Sequence, residues 1–284
     1  MTITRRHALA GGAGLFAALA ATSSAGPLAA ARSARARPIG IQLYTLRQLF
    51  SADPMGTLGQ VAAIGYREVE FGGGGYERMD HAALRRTMVG HGLTCPSLHI
   101  GYEALRDDFA GSVRMARTLG ADTVVLPWMA PELRDFARWR DALANFNLWA
   151  RQLRSEGLGF AYHNHDFEFT QKSEGRSMFD LLVSETDPAL VKIELDLFWT
   201  VAAGEDPKAV IRRLPRRIYA YHVKDRTADG KMTSVGSGTI DFADIFTLNR
   251  LAGVRHFYVE NDQSPAPYLP DITTSFAALR RLRA

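Results

Sequence analysis

The chain has 284 residues, enough for one eight-stranded α/β barrel of about 250 residues with a short extension. Hydrophobic residues make up 46% and charged residues 23%, the ordinary balance of a soluble globular protein. The formal net charge of +4 includes Arg5 and Arg6, and the clusters Arg212-Arg213 and Arg216-Arg217 are broken by apolar residues, so no nucleic-acid partner is indicated.

Residues 1–31 read as an export signal rather than as part of the fold. Arg5-Arg6 precedes an Ala- and Gly-rich apolar stretch, and Ala29-Ala30-Ala31 offers a small-residue cleavage site. The twin arginine points to a route that exports folded proteins, and hence to a periplasmic or otherwise exported enzyme. Cys95, the only cysteine, can form no internal disulfide in that oxidising destination. The alternative is an uncleaved membrane anchor, against which Gly11, Gly12, Gly14, Ser23, Ser24 and Pro27 dilute the apolar run. With the signal removed, no membrane association is expected. Residues 32–37 form a basic linker, and residues 38–284 form a single domain.

Eight short runs rich in Val, Ile, Tyr and Phe alternate with helical patterns along that domain. The predicted strands are 38–46, 67–71, 94–100, 121–126, 159–165, 191–199, 218–225 and 256–261. The predicted helices are 58–64, 82–89, 112–119, 131–156, 178–184, 206–214, 242–248 and 272–282. Gly65 and Gly120 close two of the helices, and Gly72 to Gly75 follow the second strand. Strict alternation of this kind predicts a (β/α)8 TIM barrel, whose C-terminal strand ends converge on one mouth.

Four of the strands end in residues that bind metals: Tyr162-His163-Asn164-His165, Glu194-Leu195-Asp196, Tyr221-His222 and Val259-Glu260. An unpaired charge in such a setting costs several kcal/mol, so these groups are expected to serve a purpose. Asp196, His222 and Glu260 are the strongest candidate ligands for one divalent ion, Mn, Co, Zn or Mg. Taken singly, Asp196 reads equally as a turn cap, His222 as a mouth filler and Glu260 as the partner of an arginine; convergence of all three argues for the metal. Because strand side chains alternate, His163 and His165 share a face and Asn164 points into the wall. Either histidine, or Glu168 three residues on, is a candidate fourth ligand. Glu70, His99 and Trp199 are placed on the same rim as substrate-binding groups, with Trp199 and Phe198 equally readable as core. Lys224 shares the face of His222, and a lysine beside a metal is expected to hold its proton less tightly and to act as acid or base. Its structural alternative is an ion pair with Asp225 or Glu260.

These residues resemble the xylose isomerase-like TIM barrel superfamily, in particular its sugar phosphate isomerase/epimerase branch, over residues 38 to 282. The motifs are Gly40-Ile41-Gln42-Leu43-Tyr44, Gly65-Tyr66-Arg67-Glu68-Val69-Glu70, the strand-five run from Tyr162 to Phe169, Glu194-Leu195-Asp196, His222-Val223-Lys224-Asp225 and Gly236-Ser237-Gly238 to Phe242. The resemblance implies one divalent metal bound by Glu, Asp, His and Glu from strands five to eight. Asp196, His222 and Glu260 match three of these positions, and His163 stands where the family usually has its glutamate. It further implies a sugar isomerase or epimerase that abstracts a proton beside a carbonyl, with Glu260 as base and His163 or His165 as partner acid. Losing the strand-five glutamate favours a single-base reaction, so a lyase or hydratase acting on keto-sugars or keto-glycosides is the alternative enzyme. A non-catalytic sugar-binding protein is the alternative of another class. A nuclease on the same fold would use more ligands and a basic groove. The expected partner is a small carbohydrate or polyol, and a homo-oligomer is left open.

Overall fold

The computed structural model describes residues 37–283; the expected export signal and nearly all of the expected linker lie outside them. Eight parallel strands form the barrel: β1 Gly40–Gln42, β2 Glu68–Glu70, β3 Ser97–His99, β4 Thr123–Leu126, β5 Gly159–His163, β6 Val191–Asp196, β7 Ile218–Val223 and β8 His256–Val259. Their order is β2-β1-β8-β7-β6-β5-β4-β3. Parallel bridges from Glu68 to Thr94 and from Phe71 to Leu98 join β2 to β3 and nearly close the ring. This is the TIM barrel that the alternation predicts. All residues of β1, β2, β4, β7 and nearly all of β6 are buried, as parallel strands covered on both faces require.

The strands are shorter than the apolar runs. Residues 43–46 leave β1 in a 3-10 turn, because the Gln42 side chain accepts from the Tyr44 amide at 3.0 Å and ends the strand. Residues 197–202 belong to a helix, Leu197–Ala202, and not to β6. The Asp196 Oδ1 atom caps that helix by accepting from the Trp199 amide at 2.9 Å. The helix expected over 131–156 is split into a 3-10 turn, Pro131–Leu133, and a 20-residue helix, Phe136–Ser155, capped by Asp135. Short helices Arg47–Ala52, Tyr102–Asp107 and Phe167–Thr170 add to the eight expected, because loop residues after strands need local hydrogen bonds too.

Two features of register place the site. Between β6 and β7 the pairing shifts, from Ile193 opposite Ile218 to Glu194 opposite Ala220. Tyr219 is the extra residue, and had the pairing run on from Ile193 and Ile218 without this shift, Asp196 would stand beside Tyr221 rather than beside His222. Within the barrel, Val125, Ala161, Tyr219, Ala220 and Tyr258 form a small apolar plug beneath the polar groups. Gly40 is required there, since a Cβ would lie 2.5 Å from the Tyr258 ring. No helix among the described residues is long and apolar enough to cross a membrane.

Candidate active site

A cavity of about 510 Å³ opens at the C-terminal ends of the strands. Among its lining residues are His99, His163, His165, Lys224, Glu260 and Asp262, with the exposed rings of Tyr44 and Trp128 beside them. The predicted residues therefore converge on one mouth. The ligand-type atoms of His163, Asp196, His222 and Glu260 all lie within 4.8 Å of one another. His222 Nδ1 stands 2.5 Å from Glu260 Oε2, and His163 Nε2 stands 3.8 Å from Asp196 Oδ2. Asp196 divides its two oxygens: Oδ1 caps the helix, while buried Oδ2 lies 3.0 Å from the Lys224 ammonium and faces the cluster. Capping and site thus both apply to one carboxylate. Two carboxylates and two imidazoles grouped this closely fit a divalent ion of the zinc, cobalt or manganese type.

Lys224 departs from expectation. Its ammonium lies 2.8 Å from Glu260, 3.0 Å from Asp196 and 3.0 Å from Asp262. Burial works against its charge, but Asp196, Asp262 and Glu260 outweigh burial and raise its pKa well above the ordinary value. It therefore holds its proton more tightly, not less. Asp225, the other pairing partner considered, instead accepts from the amides of Gly236, Gly238, Arg226 and Ile240 and fixes that loop. Glu260 is buried, yet Lys224 and His222 hold it well below the usual carboxylate range.

The strand-five histidines also differ from the partner-acid expectation. Burial, reinforced by His222 and Lys224, pushes His163 well below the usual imidazole range. Burial and Lys224 push His165 down to about 3. Both are neutral imidazoles at neutral pH, so neither stores a proton for donation. They do share a face, with ring centres 5.0 Å apart, and Asn164 points into the wall, where its Oδ1 accepts from the Asp196 amide at 3.1 Å. Trp199 sits in the helix after β6, half-buried, with its ring centre 5.6 Å from that of His165. Phe198 is core.

Glu168 is no ligand. It lies behind the wall, where Oε1 accepts from the Tyr162 hydroxyl at 2.6 Å and Oε2 from the His165 amide at 2.8 Å. Burial raises its pKa to about 8. Its carboxyl is thus protonated in the fold at pH values where the unfolded chain has released that proton, so its contribution to stability falls between pH 4.5 and 8. Glu168→Gln replaces an acceptor by a donor facing one of these groups and should cost about 1–3 kcal/mol at pH 5. The cost should shrink by pH 8.5, as denaturant midpoints at the two values will report.

Glu70 is misplaced by the rim expectation. It is fully buried below the mouth, bonded to Gln42 at 2.8 Å and to Ser97. Its Oε2 atom joins a ring of four donors with His99 Nε2, Glu194 Oε2 and His222 Nε2. The sides measure 3.0 Å for Glu70–His99, 3.0 Å for His99–Glu194, 3.0 Å for Glu194–His222 and 2.9 Å for His222–Glu70. Sequence reasoning missed Glu194 as a site residue, although its alternation with Asp196 on β6 was the available signal. It also missed Asp262, Tyr44 and Trp128, which sit on loops or just past strand ends where no periodicity marks them.

A family described as xylose isomerase-like TIM barrel matches residues 58–270. An inosose dehydratase from Clostridium tetani (strain Massachusetts / E88) is 30% identical over 149 residues, covering 45% of this chain and 48% of the relative. The chain spans about half the length of the curated relatives it matches. Among solved structures, a sugar phosphate isomerase/epimerase from Parabacteroides distasonis ATCC 8503 superposes with a TM-score of 0.75 at 24% identity, covering 89% of this chain and 97% of that one. An AP endonuclease, family 2, from Brucella melitensis superposes with a TM-score of 0.66 at 18% identity, covering 87% and 100%. These structural likenesses concern the fold alone, since the two superposed barrels carry differently named activities.

Proposed function

The chain belongs to the xylose isomerase-like TIM barrel family, and from that premise we propose that it is a metal-dependent lyase removing a proton beside the carbonyl of a keto-sugar or cyclic keto-polyol. The observation that carries this reading is the one-sidedness of the mouth. Apart from Glu77, the carboxylates that line the cavity, Glu260 and Asp262, lie at and just beyond β8, while β5 contributes neutral imidazoles. An epimerase that works on both faces of a carbon needs a proton carrier on each side, whereas a syn elimination needs one group, which takes the α-proton and returns it to the β-hydroxyl that leaves as water. The inosose dehydratase relatives support the same class by name.

A divalent ion held by Asp196, His222, Glu260 and His163 would supply Lewis-acid polarisation of the carbonyl. Glu260 takes the proton: its low pKa keeps it ionised throughout the neutral range. Such a carboxylate is a weak base, so the substrate carbon must be acidified where it binds. The Lys224 ammonium, held charged by three carboxylates, faces the negative charge that develops on the carbonyl oxygen. His165 lines the cavity, where its ring can meet a substrate hydroxyl. Tyr44 and Trp128 offer ring faces on which a sugar can stack. A second reading, isomerisation or epimerisation, needs a strand-five imidazole, His163 or His165, to accept the second proton from the cavity wall.

The two readings separate on products. Metal-loaded protein incubated with keto-glycosides and cyclic keto-polyols should generate an unsaturated ketone absorbing in the ultraviolet. A stereoisomer of unchanged mass, with no such absorbance, would decide for epimerisation.

A further inference from the structure

We propose that Glu70, His99, Glu194 and His222 form a second, deeper divalent-metal site beneath the mouth. It uses different atoms from the outer cluster. His222 presents Nδ1 to Glu260 and Nε2 to Glu70 and Glu194, so with both sites filled it would bridge them as an imidazolate, its remaining N–H proton released to solvent. The four inner donors alternate carboxylate and imidazole around a ring with sides of 2.9–3.0 Å. Contacts of this length leave the four donors close enough to turn onto one ion, and His99, Glu194 and His222 also group with His163 within 4.8 Å.

A second observation points the same way. His163 Nδ1, buried and without a hydrogen-bond partner, lies 3.5 Å from Glu194 Oε2. His163 thereby aims one nitrogen at each cluster, as His222 does, and His99, His163, Glu194 and His222 bring ligand atoms within 4.8 Å of one another. Glu194 Oε1 is a further buried oxygen with no partner. Two carboxylates match the charge of one divalent ion, and the mixed nitrogen and oxygen set suits zinc, cobalt, manganese or ferrous iron. Gln42 donates to Glu70 at 2.8 Å and Ser97 bonds its other oxygen, which orients that ligand. His99 lines the cavity floor and gives an ion its way in.

Elemental analysis after cobalt or zinc loading, with the cobalt d–d absorption followed during titration, tests this. Wild-type protein should bind two equivalents. Glu70→Gln and Glu194→Gln, which keep shape and remove an anionic donor, should each bind one. Asp196→Asn should lose the other equivalent and keep the inner one. A single wild-type equivalent that Glu194→Gln abolishes and Asp196→Asn preserves would also support the inner ring. Saturation of the wild type at one equivalent that Asp196→Asn removes and Glu194→Gln retains would overturn it, leaving the ring held by protons and the outer metal intact. No bound metal at all would overturn both sites. Because the wild-type count separates two equivalents from one, poor folding of a variant does not rescue the proposal.

Discussion

Glu260→Gln is expected to lower turnover by about 10²- to 10⁴-fold, the contribution of a well-placed general base. The amide keeps the shape and one oxygen donor but cannot take a proton. Substrate affinity should change far less, because Tyr44, Trp128 and Lys224 are untouched. Glu260 also stands 2.5 Å from His222 and belongs to the outer ligand cluster, so metal content must be measured with the rates. Loss of activity with the metal retained assigns the base. Unchanged turnover would move the base elsewhere, Asp262 being the nearest carboxylate that lines the cavity.

Lys224→Met is expected to destabilise the metal-free protein by about 3–5 kcal/mol, the cost of leaving buried charges uncompensated. The lysine side chain is 2% exposed, and its ammonium is within 3.0 Å of three carboxylates. Methionine fills similar volume, so packing is a minor part of the loss. A divalent ion at the outer cluster would meet the charge of Asp196 and Glu260 in the lysine's place. Metal should therefore raise the melting temperature of the variant more than that of the wild type. Equal metal-induced shifts in the two proteins would argue that Lys224 and the metal do not address the same carboxylates.

The barrel was legible because both faces of its strands are covered, which makes each strand an apolar run that stands out from the helices. Strand ends were not, because capping by Gln42 and Asp196 turns the chain while the sequence stays apolar, as in Leu43–Leu46 and Leu197–Ala202. Convergence of His163, Asp196, His222 and Glu260 followed from parallel strands of common direction. Depth did not follow. Glu70 and Glu194 lie one layer below the mouth, and the shift at Tyr219 that sets the β6–β7 register has no sequence signature. Charge states were also hidden, since the proton affinities of Lys224, His163 and His165 depend on neighbours far away in the chain.

The central claim is that this mouth removes a carbon-bound proton beside a carbonyl. Proton NMR of metal-loaded protein with a panel of keto-glycosides, cyclic keto-polyols and free ketoses in deuterated water addresses it directly. The account predicts deuterium entering one substrate carbon next to the carbonyl, or its proton signal lost to an alkene, and neither in Glu260→Gln. Substrates that bind, as shown by line broadening or calorimetry, yet keep that proton indefinitely in the metal-loaded wild type would contradict it and leave a sugar-binding protein.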